Sequence, residues 1–252
     1  SLRRRQRQMC IRDSHLLDRF CVKHSDIIWC VSRRIAEIKL QFTKDKQKVR
    51  VVPIGIELNK IKLENIKKRK RYVIVFVGHL DKSKGVQLAV EAMREVAKRY
   101  PEARLEIVGT GPYERELKKL VENLKLKHVK FLGVMSHDEL MSYLPKCGIA
   151  LATYLDDPNN ITYYADPTKP KEYLACGLPV IITKVPWIAD EIEKKPMGIA
   201  INYNKEELVN AIIRLLTDDE FYNICVKNAI VFTKNLSWNK IFRRALNYIE
   251  ES

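Results

Sequence analysis

Several kinds of site lack their usual residues in this 252-residue chain. Its six cysteines include no Cys-x-x-Cys pair and its five histidines are scattered, so the sequence offers no clustered ligands for a structural metal. Unpaired cysteines are typical of a protein in a reducing cytosol. No apolar run approaches the roughly 18 residues that a membrane-spanning helix requires. We therefore expect a cytoplasmic protein without a metal, which touches a membrane at most peripherally, at its inner face.

The sequence also lacks the fingerprint of a dinucleotide-binding site and the pattern of a nucleic-acid-binding segment. The loop Gly109-Thr-Gly111-Pro lacks the third glycine of Gly-x-Gly-x-x-Gly, which argues against a Rossmann oxidoreductase. Tight strand-to-helix turning explains Gly109 and Gly111, with backbone contact to a ligand as a further role. No stretch interleaves aromatic residues with Lys and Arg, as binders of single-stranded nucleic acid do. We expect no nucleic-acid partner.

Positive charge is present in excess, with a formal net charge of +15. Residues 1–14 hold five arginines and one aspartate without any periodicity, and we expect a non-native, disordered leader there. A second basic run covers residues 67–71. Our preferred interpretation of this run is a solvated connector. The second alternative is a patch for anionic lipid head groups, and the third is a contact with nucleic acid.

The segment most informative about function covers residues 166–183. Pro170 suits the first turn of a helix, Gly177 fits the left-handed position after its end, and the apolar run 180–182 is typical of a buried strand. A helix between two parallel strands starts at the carboxyl edge of the sheet, where free N–H groups attract anions. Lys169 at this start and Glu172 one turn later offer a cation for phosphate and a carboxylate for hydroxyl groups.

The pattern Pro167-x-Lys-x-x-Glu-Tyr-x-Ala-x-Gly-x-Pro-Val180 resembles the donor-site signature of retaining glycosyltransferases of family 4, which have the GT-B fold. The plain alternative is an ordinary α/β crossover punctuated by Pro and Gly. The resemblance implies that Lys169 and the N–H groups near Thr168 bind the donor diphosphate. It also implies that Glu172 accepts hydrogen bonds from the ribose.

Further segments match in the same chain order, among them the loop with Gly109 and Gly111, which resembles the family's turn beside the nucleotide cleft. After the strand 73–77 and Gly78, the family places an arginine and, five positions on, a lysine against the diphosphate; here these positions are His79 and Lys84. An imidazole supplies less charge than a guanidinium, which leaves open a different leaving group or a loss of activity. Farther along, the resemblance places the backbone of Val134 and Met135 at the nucleobase.

A second departure concerns the transferred sugar. In many relatives a glutamate eight positions before the second one contacts the sugar, but here that position is Tyr164. We expect the sugar to be held by Asp166 or by backbone instead.

The predicted fold class is α/β: a Rossmann-like doubly wound parallel sheet (the C-terminal domain of GT-B) plus a remnant of the N-terminal Rossmann-like domain. We expect the leader at 1–14, the tail of the acceptor domain with the hinge at 15–57, the donor domain at 58–234 and a crossover helix at 235–252. Because most of the acceptor half is absent, we expect the chain alone to be inactive. We also expect low solubility, because the apolar stripe of the last helix is then partly unburied.

The predicted function is transfer of a sugar, with retention, from a UDP- or GDP-sugar to a sugar or lipid-linked acceptor. Lys84 and Glu172 are the expected catalytic residues, without a cofactor. An anionic membrane surface is a further expected partner. The alternatives are a catalytically degenerate GT-B relative and a basic module that binds nucleic acid or a membrane surface.

Overall fold

The computed structural model of the protein describes residues 15–61, 63 and 69–250. The chain divides into two units after Pro53 and after Lys240. The larger unit runs from Ile54 to Lys240. The predicted leader, residues 1–14, lies outside the described residues.

The larger unit contains a six-stranded parallel sheet with the strand order β5-β4-β3-β6-β7-β8. Counted from β3 as the first strand, this is the 3-2-1-4-5-6 order of a doubly wound Rossmann sheet, which confirms the predicted fold class. The order reverses between β3 and β6, so the connections after these two strands diverge and leave a crevice. The strands are β3 (Lys70–Val77), β4 (Arg104–Val108), β5 (Val129–Gly133), β6 (Cys147–Ala152), β7 (Val180–Thr183) and β8 (Gly198–Ile201).

Helices cover both faces of this sheet. Successive side chains of β3 alternate between two cores: Ile74 packs with the helices α3 and α9, and Val75 packs with α7 and α8. Burial on both faces explains why the strands are continuous apolar runs. The helices are α3 (Val86–Arg99), α4 (Glu114–Asn123), α5 (His137–Tyr143), α6 (Ile161–Tyr164), α7 (Thr168–Ala175), α8 (Ile188–Lys194), α9 (Lys205–Thr217) and α10 (Asp219–Thr233).

The predicted helix ends are confirmed where local chemistry sets them. Pro170 lies in the first turn of α7, and Gly177 has a φ of 67° just beyond its end. Ser136 and Glu139 form the capping box of α5. The side chain of Asn204 caps α9 by accepting two backbone N–H groups.

The basic run at residues 67–71 extends into β3, and its two described arginines are not solvated connector residues. Arg69 is buried and donates to the carbonyls of Gly177 and Cys176, at 2.5 and 2.6 Å. Arg71 donates to the carbonyl of Leu215 at the end of α9. Carbonyl groups at helix ends attract cations, so these two arginines anchor two helices. Residues 67 and 68 lie outside the described residues.

The smaller unit has a parallel pair of strands, β1 (Ile28–Cys30) and β2 (Val49–Val51). Its helices are α1 (residues 15–24), α2 (Arg33–Leu40) and the later part of α11 (Trp238–Glu250). Its small core includes Cys30, Ala36 and Val49.

The last helix, α11, is partly exposed along its apolar stripe. Ile241 and Ala245 are buried, whereas Phe242 and Ile249 are each 49% exposed. The prediction that this stripe is partly unburied is confirmed. Across the part of the chain that the structure describes, we find no helix with the length and apolar character needed to cross a membrane.

Candidate functional site

A cleft of about 260 Å³ opens at the carboxyl ends of β3 and β6, where the strand order reverses. Ligands of doubly wound sheets bind at this kind of position. Three separate segments line it: the loop after β3, the end of β6, and the connection that runs through α6 to the start of α7. The cleft brings together five of the residues expected at the site, which are Gly78, His79, Lys84, Thr168 and Lys169.

The loops after β3 and β4 lie against each other. The N–H of Gly78 donates to the carbonyl of Val108, and that of Leu80 donates to the carbonyl of Thr110, each at 3.0 Å. A Cβ on Gly109 would lie 1.9 Å from the Gly78 carbonyl oxygen, and one on Gly111 would lie 2.4 Å from that of Leu80. These two glycines therefore permit the loops to approach, and neither lines the cleft.

Lys84 ends a single turn of 3-10 helix that spans Lys82–Lys84. The carboxylate of Asp81 caps this turn, and Gly85 ends it with a φ of 69°. Burial lowers the pKa of Lys84 from its ordinary value, against the opposing effect of Asp81. The turn thus places a half-buried amine at the cleft.

The second turn of α7 is fixed to the end of β3. The hydroxyl of Tyr173 accepts the N–H of Val77 at 2.9 Å and donates to the carbonyl of the same residue at 3.1 Å. Tyr173 is 1% exposed, so this bridge is enclosed in the core. The first two residues of the helix, Thr168 and Lys169, line the cleft, and the first N–H groups of a helix have no partner within it.

Glu172 lies one turn into α7 between two basic groups. Its Oε2 is 2.7 Å from Nζ of Lys169, and its Oε1 is 3.6 Å from Nε2 of His137. Its side chain is 11% exposed. His137 escaped the sequence analysis: the capping box predicts that a helix starts at this residue, but no spacing along the chain links it to Glu172.

Asp166 has a different environment from the one expected. Its Oδ2 accepts from Nζ of Lys171 at 2.5 Å and from the N–H of Ile54 at 2.6 Å. Its Oδ1 accepts from Nε1 of Trp187 at 2.7 Å, and the side chain has no exposure. The carboxylate therefore binds the protein itself, and the structure gives no support to a sugar contact through Asp166.

Three other expected residues lie outside the cleft lining. Val134 is 71% exposed after β5, and Met135 packs partly against a core. The ring of Tyr164 meets that of Tyr163 edge-on, with centroids 5.1 Å apart.

Residues 15–61, 63 and 69–250 contain neither a reactive cysteine site nor a group of metal ligands. The five cysteines described there are free thiols. Burial raises the pKa of Cys147 and of Cys176 to about 12, so both thiols stay protonated near neutral pH. None of the His, Cys, Asp and Glu side chains in these residues are grouped so that three could hold a metal ion.

Curated relatives include two proteins that bear the same name. The alpha-monoglucosyldiacylglycerol synthase of Streptococcus pneumoniae is 27% identical over 205 residues, which cover 76% of this chain and 44% of that enzyme. The enzyme of the same name from Acholeplasma laidlawii is 30% identical over 164 residues, covering 65% of this chain and 39% of its own length. The chain therefore spans less than half the length of these two relatives.

Solved structures share the fold. The crystal structure of Anabaena Alr3699/HepE in complex with UDP and glucose superposes with a TM-score of 0.75 at 18% sequence identity. The match covers 90% of this chain and 64% of that one. It identifies the architecture as that of GT-B glycosyltransferases.

The family match coincides with the unit that carries the cleft. Residues 59–232 match the family described as Glycosyl transferases group 1. This stretch is more than half of the chain and contains the whole six-stranded sheet. The chain therefore belongs to the group 1 glycosyl transferases, and its larger unit is the C-terminal domain of that family.

Proposed function

We propose that the cleft binds a nucleotide-diphosphate sugar and that the protein transfers the sugar to an acceptor with retention of configuration. One observation carries the proposal: Lys84, from the 3-10 turn after β3, and Lys169, in the first turn of α7, lie with the N-terminus of α7 at a single cleft. Cationic groups and free helix N–H groups together favour a ligand with several negative charges. A diphosphate has this character. The solved relative named above contains UDP and glucose, which supports the same assignment.

The proposed chemistry depends on the charge that develops on the leaving group. As the bond between the sugar and the diphosphate breaks, negative charge grows on the diphosphate oxygens. Lys84, Lys169 and the N–H groups near Thr168 stabilise that charge once the diphosphate is bound. His79 lines the same cleft and contributes a hydrogen bond rather than a permanent charge.

Glu172 is the proposed partner of the ribose hydroxyls. In the structure Lys169 occupies one of its oxygens. When a diphosphate enters, Lys169 turns toward the phosphate, and the released carboxylate oxygen accepts from the ribose. Lys169 then pairs with an anionic phosphate oxygen, and Glu172 keeps a charge-assisted hydrogen bond through the ribose hydroxyl.

The acceptor is proposed to be a sugar or a lipid-linked hydroxyl. Two of the relatives are named as glucosyldiacylglycerol synthases, which supports a lipid acceptor. Residues 1–14 carry +4 of the net charge, and the +11 that remains supports contact with an anionic membrane surface on the cytoplasmic side, because basic proteins are attracted to anionic head groups.

Calorimetric titration of the full 252-residue chain with UDP, GDP and ADP tests the donor proposal. Binding needs only the cleft of the larger unit, so the assay does not depend on turnover. We expect one of the three to bind, and Glu172→Ala to weaken it about tenfold or more, since it removes a charged hydrogen-bond acceptor. The matched control is Glu116→Ala on the exposed face of α4, which should leave affinity unchanged.

Two results would contradict the proposal. If no nucleotide binds while a short DNA duplex does, with a steep dependence on salt, the chain acts as a basic binding module. If all of the ligands fail to bind, the cleft is that of a degenerate relative, as the histidine at position 79 would permit.

A further inference from the structure

Tyr154 stands just beyond the end of β6 and lines the cleft. It is 9% exposed. The hydroxyl of Thr183 donates to its carbonyl at 2.7 Å, and the N–H of Leu155 donates to the carbonyl of Ser83 at 3.0 Å. The backbone on both sides of the ring is thus held in place by neighbouring segments.

The hydroxyl of Tyr154 differs from those of other buried tyrosines. Tyr173 uses its hydroxyl to bridge the end of β3, and Tyr222 donates to the carbonyl of Gly148 at 2.9 Å. Across the described residues, the Tyr154 hydroxyl has no hydrogen-bond partner, yet it is not one of the buried polar atoms sealed from solvent. It therefore keeps its contact with solvent through the cleft that the ring lines.

A hydroxyl in this position is suited to a neutral ligand group. Burial raises the pKa of Tyr154, and the negative charges of Asp166 and Glu172 raise it further. The phenol thus stays protonated at every physiological pH and can both donate and accept. Because no protein group hydrogen-bonds this hydroxyl in the described residues, a ligand in the cleft can supply its partner.

The order of the strands indicates which part of the ligand reaches Tyr154; this step rests on the proposed function. The proposed base contacts, Val134 and Met135, follow β5, and the proposed phosphate contacts lie after β3 and at the start of α7. β6 is the next strand beyond β3. Neighbouring strands are about 4.8 Å apart, so β5 and β6 are separated by roughly 14 Å, which an extended nucleotide sugar spans.

We infer that the hydroxyl of Tyr154 hydrogen-bonds a hydroxyl group of the transferred sugar. Tyr154 is then a binding residue for the sugar. It follows the end of β6 and does not belong to the motif that contains α7. It supplies a sugar contact that this chain otherwise lacks, because Tyr164 stands at the position where the family has a sugar-binding glutamate.

The substitution Tyr154→Phe removes only the hydroxyl, so it tests the inference with the ring retained. Wild type and variant are titrated with UDP and UDP-glucose, GDP and GDP-mannose, and ADP and ADP-glucose. We expect the affinity for the nucleoside diphosphate to stay within about twofold and that for its sugar derivative to fall about threefold to tenfold. Tyr222→Phe is the matched control, since its hydroxyl binds at the start of β6, opposite the cleft. It should lower stability without separating the two affinities.

The outcomes separate the two proposals. If the wild type binds a nucleoside diphosphate but Tyr154→Phe leaves both affinities unchanged, or lowers both equally, the inference is overturned and the donor proposal stands. If the wild type binds none of the six ligands, the donor proposal fails and the inference fails with it.

Discussion

The Nζ atom of Lys171 lies 2.5 Å from Oδ2 of Asp166, and neither side chain is exposed to solvent. Both groups also bind the backbone of Ile54: Lys171 donates to its carbonyl at 2.7 Å, and Asp166 accepts its N–H at 2.6 Å. Burial lowers the pKa of Lys171, and the charge of Asp166 opposes that shift. Since Asp166 precedes α7 and Lys171 belongs to it, the pair fixes the start of this helix to Ile54.

Removal of one partner from this pair should destabilise the fold strongly. Lys171→Met leaves the carboxylate of Asp166 buried without a counterion, and we expect the free energy of unfolding to fall by about 3–5 kcal/mol. Urea unfolding followed by circular dichroism measures it. The double variant Asp166→Asn, Lys171→Met should recover most of the loss, because no charge then remains buried.

Lys169→Met is the control for that series. Its partly exposed pair with Glu172 should contribute less than about 1 kcal/mol to stability. A loss of less than about 1 kcal/mol in Lys171→Met would show that the buried pair does not stabilise the folded state in the way described.

Two glycines with the same backbone conformation should respond very differently to alanine. Gly85 and Gly133 have φ values of 69° and 70°. A Cβ on Gly85 would lie 1.6 Å from the carbonyl oxygen of Thr153, whereas one on Gly133 meets nothing within 4 Å. Gly133→Ala should therefore cost only the conformational strain, about 1–2 kcal/mol. Gly85→Ala must also displace backbone, and we expect more than about 4 kcal/mol. Thermal unfolding of the two variants distinguishes them, and equal losses would contradict the packing at Gly85.

The arginine that anchors the end of α7 should contribute to stability, unlike its neighbour in the basic run. Arg69→Met removes hydrogen bonds to two carbonyl groups inside the protein, and we expect a loss of about 2–3 kcal/mol. Lys70→Met changes an exposed residue of the same run, and its effect should stay within about 0.5 kcal/mol. Urea unfolding of both variants makes the comparison. Equal, small effects would restore the interpretation of the run as a solvated connector.

Local chemistry explains how much of the fold could be predicted. Apolar periodicity marks the strands, and caps such as Ser136, Asn204 and Gly177 mark helix ends within a few residues of the sequence that forms them. Contacts between distant segments have no such signal. Ile54 and Asp166 are 112 positions apart, and nothing near either residue indicates that they bond. The inward position of Asp166 therefore escaped prediction.

The same limit applies to the candidate site. Lys84 and Lys169 each lie in a strand-to-helix motif, so each could be predicted from its own motif. The sheet then brings the two lysines to one cleft. Tyr154 and His137 have no motif of their own. Tyr154 reaches the cleft because β6 lies next to β3, and His137 reaches Glu172 because α5 and α7 both begin at the carboxyl edge of the sheet. Strand order decides both, and strand order is a property of the folded sheet rather than of any short segment.

The lowered pKa of Lys84 gives the proposed donor binding a specific dependence on pH. The protonated amine attracts a diphosphate and the neutral amine does not. Affinity should therefore be held at pH values below the pKa of Lys84 and lost as the pH rises through it. Because burial lowers this pKa from the ordinary 10.5, the loss should begin at a lower pH than a solvent-exposed lysine would give. Calorimetric titration with UDP, or with whichever nucleoside diphosphate binds, from about pH 7 to about pH 10.5 measures it.

Lys84→Arg isolates this effect from every other group that titrates at alkaline pH. A guanidinium stays charged throughout the range, so the variant should keep its affinity where the wild type loses about tenfold. Lys82→Arg changes an exposed lysine of the same turn and should follow the wild-type profile. Parallel profiles for wild type and Lys84→Arg would mean that the charge of Lys84 does not act on the diphosphate. The alkaline loss would then belong to another group at the cleft, with Lys169 the first to test because it lies at the start of α7.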